Sequence, residues 1–387
     1  MKYDFDKVID RRQTNSYKYD FAAEMGKPAD ALPLWVADMD FQVPPEVTAR
    51  LEEIVRHAVY GYSEAKDDYF GAVKNWFTER FGFTPEPQWL VKTPGVVFSL
   101  AQAIRSMTAP GDAVVIQPPV YRPFSQLVEV NERRLVENEL IFRDGRYFMD
   151  LDDLQKKIAD SKAKMLILSS PHNPVGRVWT REELMALGQI CLDHQCLVVA
   201  DEIHCDFIRP GHVHHIFASL STEFAQNCIL CTAPSKTFNL AGLQASNIFI
   251  PNESLRRKFK NELNKVGYHS LNPLGLAACQ AAYEYGQDWL EELKNYLEGN
   301  LALLKDSLKD FPKVKIVEPE GTYLVWLDFR AVGLTPKALD ELLLNKAKVW
   351  FDEGQKFGQG GEGFQRINLA CPRSTLAEAI KRLTSVL

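Results

Sequence analysis

From about Pro45 to Tyr285, short apolar runs rich in β-branched residues alternate with longer amphipathic stretches. Apolar runs with no polar alternation suit strands covered on both faces, and each amphipathic stretch is long enough to be a crossover helix. The pattern predicts strands at Ala113–Gln117, Leu135–Leu140, Met165–Ser169, Leu197–Asp201, Cys228–Ala233 and Ala245–Ile250. It predicts helices at Pro45–His57, Asp67–Phe81, Val96–Met107, Arg181–His194 and Glu253–Val266. Thr180, with Glu183 three residues later, has the spacing of a capping box at one helix start. Alternation of this kind reads as an α/β domain built on a mostly parallel sheet.

After Tyr285 the pattern changes. A long charged helix from Asp288 to about Lys309 leads into strands at Val314–Val317 and Tyr323–Asp328 and a helix near Pro336–Lys346. Strands at Val349–Phe351 and Arg366–Ala370 and a last helix from Thr375 complete a smaller α+β domain. The expected division is therefore an arm over residues 1–45, a large domain over 46–286 and a small domain over 287–387. Pro33, Pro44 and Pro45 make the arm a loop segment, expected to pack with the C-terminal part.

Composition narrows the function classes. The chain has 387 residues, 46% hydrophobic and 25% charged, with a formal net charge of −6. No basic run could neutralise a phosphate backbone, so nucleic acid is not the expected partner. No apolar run is long enough to span a bilayer, and Lys2, Asp4 and Asp6 break up any leader-like apolar start, so no membrane partner and a cytosolic location are expected. Seven cysteines, an odd number, fit a reducing compartment. Cys228 and Cys231 have the spacing of a redox or metal pair, but on a strand residues three apart face opposite ways. His212, His214 and His215 follow the turn signal Arg209-Pro210-Gly211 and read as an exposed loop, with no metal expected.

In open α/β sheets ligands bind beyond the carboxyl ends of the strands. Four strand ends carry reactive or recognition groups: Pro118-Pro119-Val120-Tyr121, Ser170-Pro171-His172-Asn173-Pro174-Val175-Gly176, Ala200-Asp201-Glu202-Ile203-His204 and Pro234-Ser235-Lys236-Thr237-Phe238-Asn239. A lysine, an acid, an amide, an imidazole and an aromatic ring thus converge on one rim. An acid that ends a buried strand needs a cationic partner, because an unpaired buried charge costs several kcal/mol, roughly, or neutralises itself.

The three motifs at 170–176, 200–204 and 235–239, in this order and spacing, resemble the fold-type-I pyridoxal-phosphate enzymes of the class-I/II aminotransferase-like group. The resemblance runs over essentially the whole chain. It implies an aspartate-aminotransferase-like fold, with a seven-stranded, mostly parallel sheet and a smaller α+β domain. It implies that Lys236 carries pyridoxal 5′-phosphate through an imine and that Asp201 pairs with the ring nitrogen. Asn173 and His204 would lie at the ring's phenolic oxygen, and Tyr121 would stack on the ring. Ser235 and the loop at Gly95, Val96 and Val97 would hold the phosphate, the last two through amides that open a helix. Tyr60 would reach the phosphate of a neighbouring subunit, implying a homodimer with shared active sites. Arg366 would clamp the substrate carboxylate, with Arg373 a second candidate.

Two departures from the wider group stand out: His204 in place of a tyrosine, and Gln244 in place of a phosphate-binding arginine. With Leu34-Trp35-Val36-Ala37-Asp38-Met39-Asp40-Phe41 and Asn239-Leu240-Ala241-Gly242-Leu243-Gln244, they resemble the cystathionine β-lyase, or cysteine-S-conjugate β-lyase, branch. That branch implies substrate contacts at Val36 and Ala37. It also implies α,β-elimination that releases a thiol, pyruvate and ammonia, with Lys236 as the base. Homocysteine from cystathionine would place the reaction in methionine biosynthesis. An aminotransferase would use the same residues with a 2-oxo acid co-substrate. A regulatory protein that keeps the fold to bind another protein is the alternative of a different class.

Overall fold

The computed structural model describes residues 2–387. Its main sheet has seven strands in the order Leu90–Thr93, Ser246–Phe249, Cys228–Thr232, Leu197–Asp201, Met165–Ser169, Ala113–Ile116 and Arg134–Glu137. Ser246–Phe249 runs antiparallel to both its neighbours, and every other pairing beyond it is parallel. The predicted strands fall in place to within a few residues. Leu90–Thr93 was not among them, because it is four residues long and alternates half-buried with buried positions, a weak signal for a covered strand.

The strands alternate between two apolar layers. Leu166, Leu168, Val198, Ala200, Cys228 and Leu230 face one layer, whereas Met165, Ile167, Val199, Ile229 and Cys231 face the other. Cys228 and Cys231 therefore lie on opposite faces of the sheet. Burial pushes both thiols well above their ordinary range. One face is covered by Val96–Met107, Pro123–Val130 and Glu253–Lys265, the other by Asp67–Phe81, Leu151–Ser161, Arg181–Asp193 and Pro273–Tyr285. The capping box is complete: Thr180 Oγ1 accepts from Glu183 N at 3.2 Å and Glu183 Oε2 accepts from Thr180 N at 2.8 Å. Thr180→Ala should lower stability by about 1 kcal/mol. The check is the urea midpoint, and an unchanged midpoint would mean that this cap contributes nothing.

A four-stranded antiparallel sheet, Lys315–Val317, Leu324–Asp328, Phe364–Asn368 and Asp352–Glu353, forms the second layer system. The helix predicted over Pro336–Lys346 is α-helical only over Pro336–Glu341 and continues as a π turn over Leu342–Lys346. The apolar spacing carries on through both, so the pattern does not reveal the change.

The arm is bound to this part of the molecule. Leu32–Pro33 pairs in parallel with Val349–Trp350. Phe5 packs edge-on against Phe41 and Trp289, with ring centres 5.2 and 5.7 Å apart. Lys18 is fully buried and donates to Asp40 at 2.7 Å, and Arg11 spans Asp40 and Asp38. These ion pairs hold the segment Trp35–Asp40 down where the two sheets meet, and that junction contains the cavity.

Candidate active site

A cavity of about 720 Å³ opens beyond the carboxyl ends of the central strands. Its lining brings together Tyr121, Asn173, Asp201, His204, Ser235, Lys236 and Arg366, with Gly95, Val96 and Val97 and the arm residues Val36 and Ala37. Short bonds between the strand-end loops set these positions. Tyr121 N donates to Asn173 O at 3.1 Å, and Asn173 N donates to Ser169 Oγ at 3.2 Å. Lys236 sits in a single helical turn, Pro234–Thr237, started by a proline that already has helical φ. Thr237 Oγ1 donates to Asp206 at 2.7 Å, and Asp206 also accepts from Trp76 and Arg80 of the Asp67–Phe81 helix. The lysine-bearing turn is thus tied to the Asp67–Phe81 helix, whose Trp76 also packs edge-on against Phe238 at 5.3 Å.

Burial dominates the electrostatics. It pushes the Lys236 ammonium down to about 8, assisted by the positive charge of Arg366. Lys236 Nζ donates to Ala37 O at 2.8 Å. Burial pushes the Asp201 carboxyl up to about 7, against the opposing effects of the Ile203 N–H and of Lys236. Its one protein donor among the described residues is that amide, at 3.2 Å. Burial, then Lys236 and Arg366, hold the His204 imidazole well below its ordinary range, so the ring is neutral. Burial raises the Tyr121 phenol, which stays protonated.

Arg366 is 3% exposed. Its Nη1 donates to Asn173 Oδ1 at 2.9 Å, and its Nη2 donates to Trp35 O and Asp352 Oδ2, each at 2.7 Å. Its Nε is buried with no partner, as is His204 Nδ1. Both residues line the cavity, so each of these atoms is free to bond a ligand there.

The same reasoning tests pyridoxal phosphate against the residues present. Asp201 is a buried carboxylate with no side-chain cation bonded to it, which suits a protonated ring nitrogen. Gly95 has φ 155° and ψ 157°, a conformation reserved for glycine, and nothing lies within 4 Å of where a Cβ would stand. This opening lies at the start of the 12-residue Val96–Met107 helix, where free amides and the helix dipole favour an anion such as phosphate. Ser235 and Gln244 line the same cavity, so its donors there are neutral, consistent with the missing arginine. The residues fit the group.

Some expectations need correction. Arg373 is not at the cavity. Its guanidinium stacks on Tyr296, 4.5 Å from the ring centre, and Nε donates to Asn300 Oδ1, so it anchors the last helix. His214 is not in an exposed loop: it is 7% exposed and its Nε2 lies 2.8 Å from Glu202 Oε2, a carboxylate that also accepts from Phe217 N. The buried acid next to Asp201 needed donors, and the chain folds back to supply them. Tyr60 lies outside the cavity of its own chain, 58% exposed on a loop with Val59 and Tyr62.

Sequence reasoning missed Asp352, Trp350, Phe357 and Lys356, all of which line the cavity, and Tyr323, whose hydroxyl donates to Ala37 O at 2.9 Å. Asp352 sits in a two-residue strand paired to Phe364–Asn368, too short to leave a periodic signal. Trp35 stacks on Trp350 at 4.6 Å, which follows only once the arm pairs with Val349–Trp350.

Comparison with known proteins places this geometry in context. Residues 31–383 match the family described as aminotransferase class I and II. Cystathionine beta-lyase PatB of Bacillus subtilis (strain 168) is 44% identical over 384 residues, covering 99% of each chain. Cystalysin of Treponema denticola, whose crystal structure contains a pyridoxal 5′-phosphate cofactor, superimposes with a TM-score of 0.96 at 39% identity, over 100% of this chain and 99% of its own. The pyridoxal-phosphate-bound C–S lyase of Staphylococcus hominis superimposes with a TM-score of 0.93 at 34% identity, over 100% and 98%. The chain belongs to the aminotransferase class I and II family, with the aspartate-aminotransferase-like fold and pyridoxal 5′-phosphate as its cofactor.

Proposed function

We propose that this chain is a pyridoxal-phosphate-dependent carbon–sulfur β-lyase that cleaves cystathionine or related S-substituted cysteines. One observation carries the reading. Lys236, Asp201 and Arg366 line a single cavity, in a chain 44% identical from end to end to a protein named cystathionine beta-lyase. When bound, pyridoxal phosphate supplies an aldehyde that condenses with amines and a cationic ring that withdraws electrons from the substrate α-carbon.

In this reading Lys236 Nζ anchors the cofactor and then takes the substrate α-proton. A buried amine near 8 is well poised for that work at neutral pH. Asp201 would keep the ring nitrogen protonated. Tyr121 would hold the ring face, and Asn173 and His204 would hold its phenolic oxygen. Gly95, the amides of Val96 and Val97, and Ser235 would hold the phosphate. Arg366 receives the substrate carboxylate through its unpartnered Nε, with Val36 and Ala37 as a wall. Loss of the α-proton sets up departure of the sulfur substituent from the β-carbon as a thiol. The remaining fragment hydrolyses to pyruvate and ammonia, so cystathionine and one water give homocysteine, pyruvate and ammonia.

We further propose a homodimer in which Tyr60 reaches the partner's phosphate site. In support, Val59, Tyr60 and Tyr62 expose apolar surface on one loop, outside their own cavity. No helix among the described residues is long and apolar enough to cross a membrane. The reading is tested with holoenzyme and a panel of S-substituted cysteines that includes cystathionine. Pyruvate and thiol should appear in equal amounts with no added 2-oxo acid. Turnover only when a 2-oxo acid is supplied would replace the lyase with an aminotransferase.

A further inference from the structure

The cavity has five cationic side chains in its lining, and four already have partners. Lys236 donates to Ala37 O, and Arg366 is held by Asp352. Lys27 pairs with Glu353 at 2.7 Å and Asp340 at 3.3 Å, and Lys356 with Glu353 at 3.0 Å. The fifth is Arg122, next to the ring-stacking position Tyr121. Its backbone carbonyl accepts from Ser125 Oγ and Gln126 N, but its guanidinium has no ion pair and no hydrogen-bond partner among the described residues.

Position adds to this. Arg366 is buried and Lys236 half-buried, whereas Arg122 is exposed and so stands at the solvent end of the same cavity. In the lyase reading, an amino acid with its carboxylate on Arg366 and its α-carbon at Lys236 has this open end available to its sulfur substituent. Gln126 also lines the cavity from one turn further along the helix that Arg122 begins, and residues four apart share a helix face. A guanidinium fork with an amide donor beside it matches a carboxylate, whose two oxygens take parallel N–H donors.

We propose that Arg122, supported by Gln126, is a specificity-determining residue that selects substrates whose sulfur substituent ends in a carboxylate. This rests on the lyase reading for the orientation of the substrate. Arg122 takes no part in proton transfer. Its effect is on which substituent is held.

The test uses an isosteric pair, S-(2-carboxyethyl)-L-cysteine and its neutral amide S-(2-carbamoylethyl)-L-cysteine. Holoenzyme should prefer the carboxylate in kcat/KM by about fivefold, the size of one partly exposed ion pair. Added salt should shrink the preference, because a solvent-facing charge contact is screened over about 10 Å at ordinary ionic strength. In Arg122→Gln the ratio of the two constants should fall to about one, and in Arg122→Glu it should invert. Because the readout is a ratio, general damage to the site cancels. A ratio that stays at the wild-type value in Arg122→Gln overturns the proposal. Pyruvate from neither compound would sink the lyase reading. The dissociation constants of the same two compounds with holoenzyme would then decide the role of Arg122 by the same ratio.

Discussion

Lys236→Ala is expected to lower pyruvate release from cystathionine by at least about 10³-fold while the protein stays folded. General-base catalysis alone contributes on the order of 10² to 10⁴, and this amine also anchors the cofactor. The fold should survive, because the lysine side chain gives one hydrogen bond, to Ala37 O, and removing a buried amine relieves a desolvation cost. The wild-type residue has a pH signature as well. Only the neutral amine attacks an aldehyde, and burial lowers this group from 10.5 to about 8. Covalent capture of the cofactor by apoprotein should therefore quicken as the pH rises and level off above about 8, whereas an ordinary lysine would keep gaining to about 10.5. Borohydride fixation at a series of pH values reads this rate. A variant within tenfold of wild type, or capture that still rises well past pH 8, would remove Lys236 from the centre of the mechanism.

Asp201→Asn should lower kcat by about 10²- to 10³-fold, with a much smaller change in KM. Removing one partner of a buried charge pair costs about 3 to 5 kcal/mol. Here the missing partner is the carboxylate that would keep the ring nitrogen cationic during proton removal. Asparagine matches its shape and can still accept from Ile203 N, so the Met165–Ser169 and Cys228–Thr232 strands on either side should pack as before. Steady-state kinetics separate the two constants. If kcat stays within tenfold of wild type, Asp201 is a strand terminator with no part in the chemistry.

Much of the site was legible because its parts are local. Asp201, Asn173, Tyr121 and Lys236 each lie within a few residues of a strand end, and the strand ends are marked by apolar runs that stop abruptly. Covered strands concentrate Val, Ile, Leu and Cys, and the loop that follows must leave the sheet at the rim. The same logic placed Cys228 and Cys231 back to back on one strand. Where a feature depends on two distant segments, local patterns fail. His214 read as part of a surface cluster because nothing near it in the chain shows that Glu202, 12 residues earlier, is buried and in need of donors. Arg373 and Arg366 read alike as C-terminal arginines, but one strand faces the cavity and the next helix does not.

By itself, the amino-acid order determined the alternation of covered strands and crossover helices, the capping box at Thr180 and the chemistry at each strand end. These follow from side-chain period and backbone preference within a dozen residues. Only the tertiary structure decided that Arg366 meets Asn173, 193 residues away, and Asp352. The same is true of Lys236, whose amine rests on a carbonyl of the N-terminal arm, and of Arg122, which is left as the unpaired cation among the described residues lining the cavity. Such contacts arise from packing one sheet against another, and the burial that shifts Lys236 and Asp201 belongs to the assembled junction and to neither segment alone.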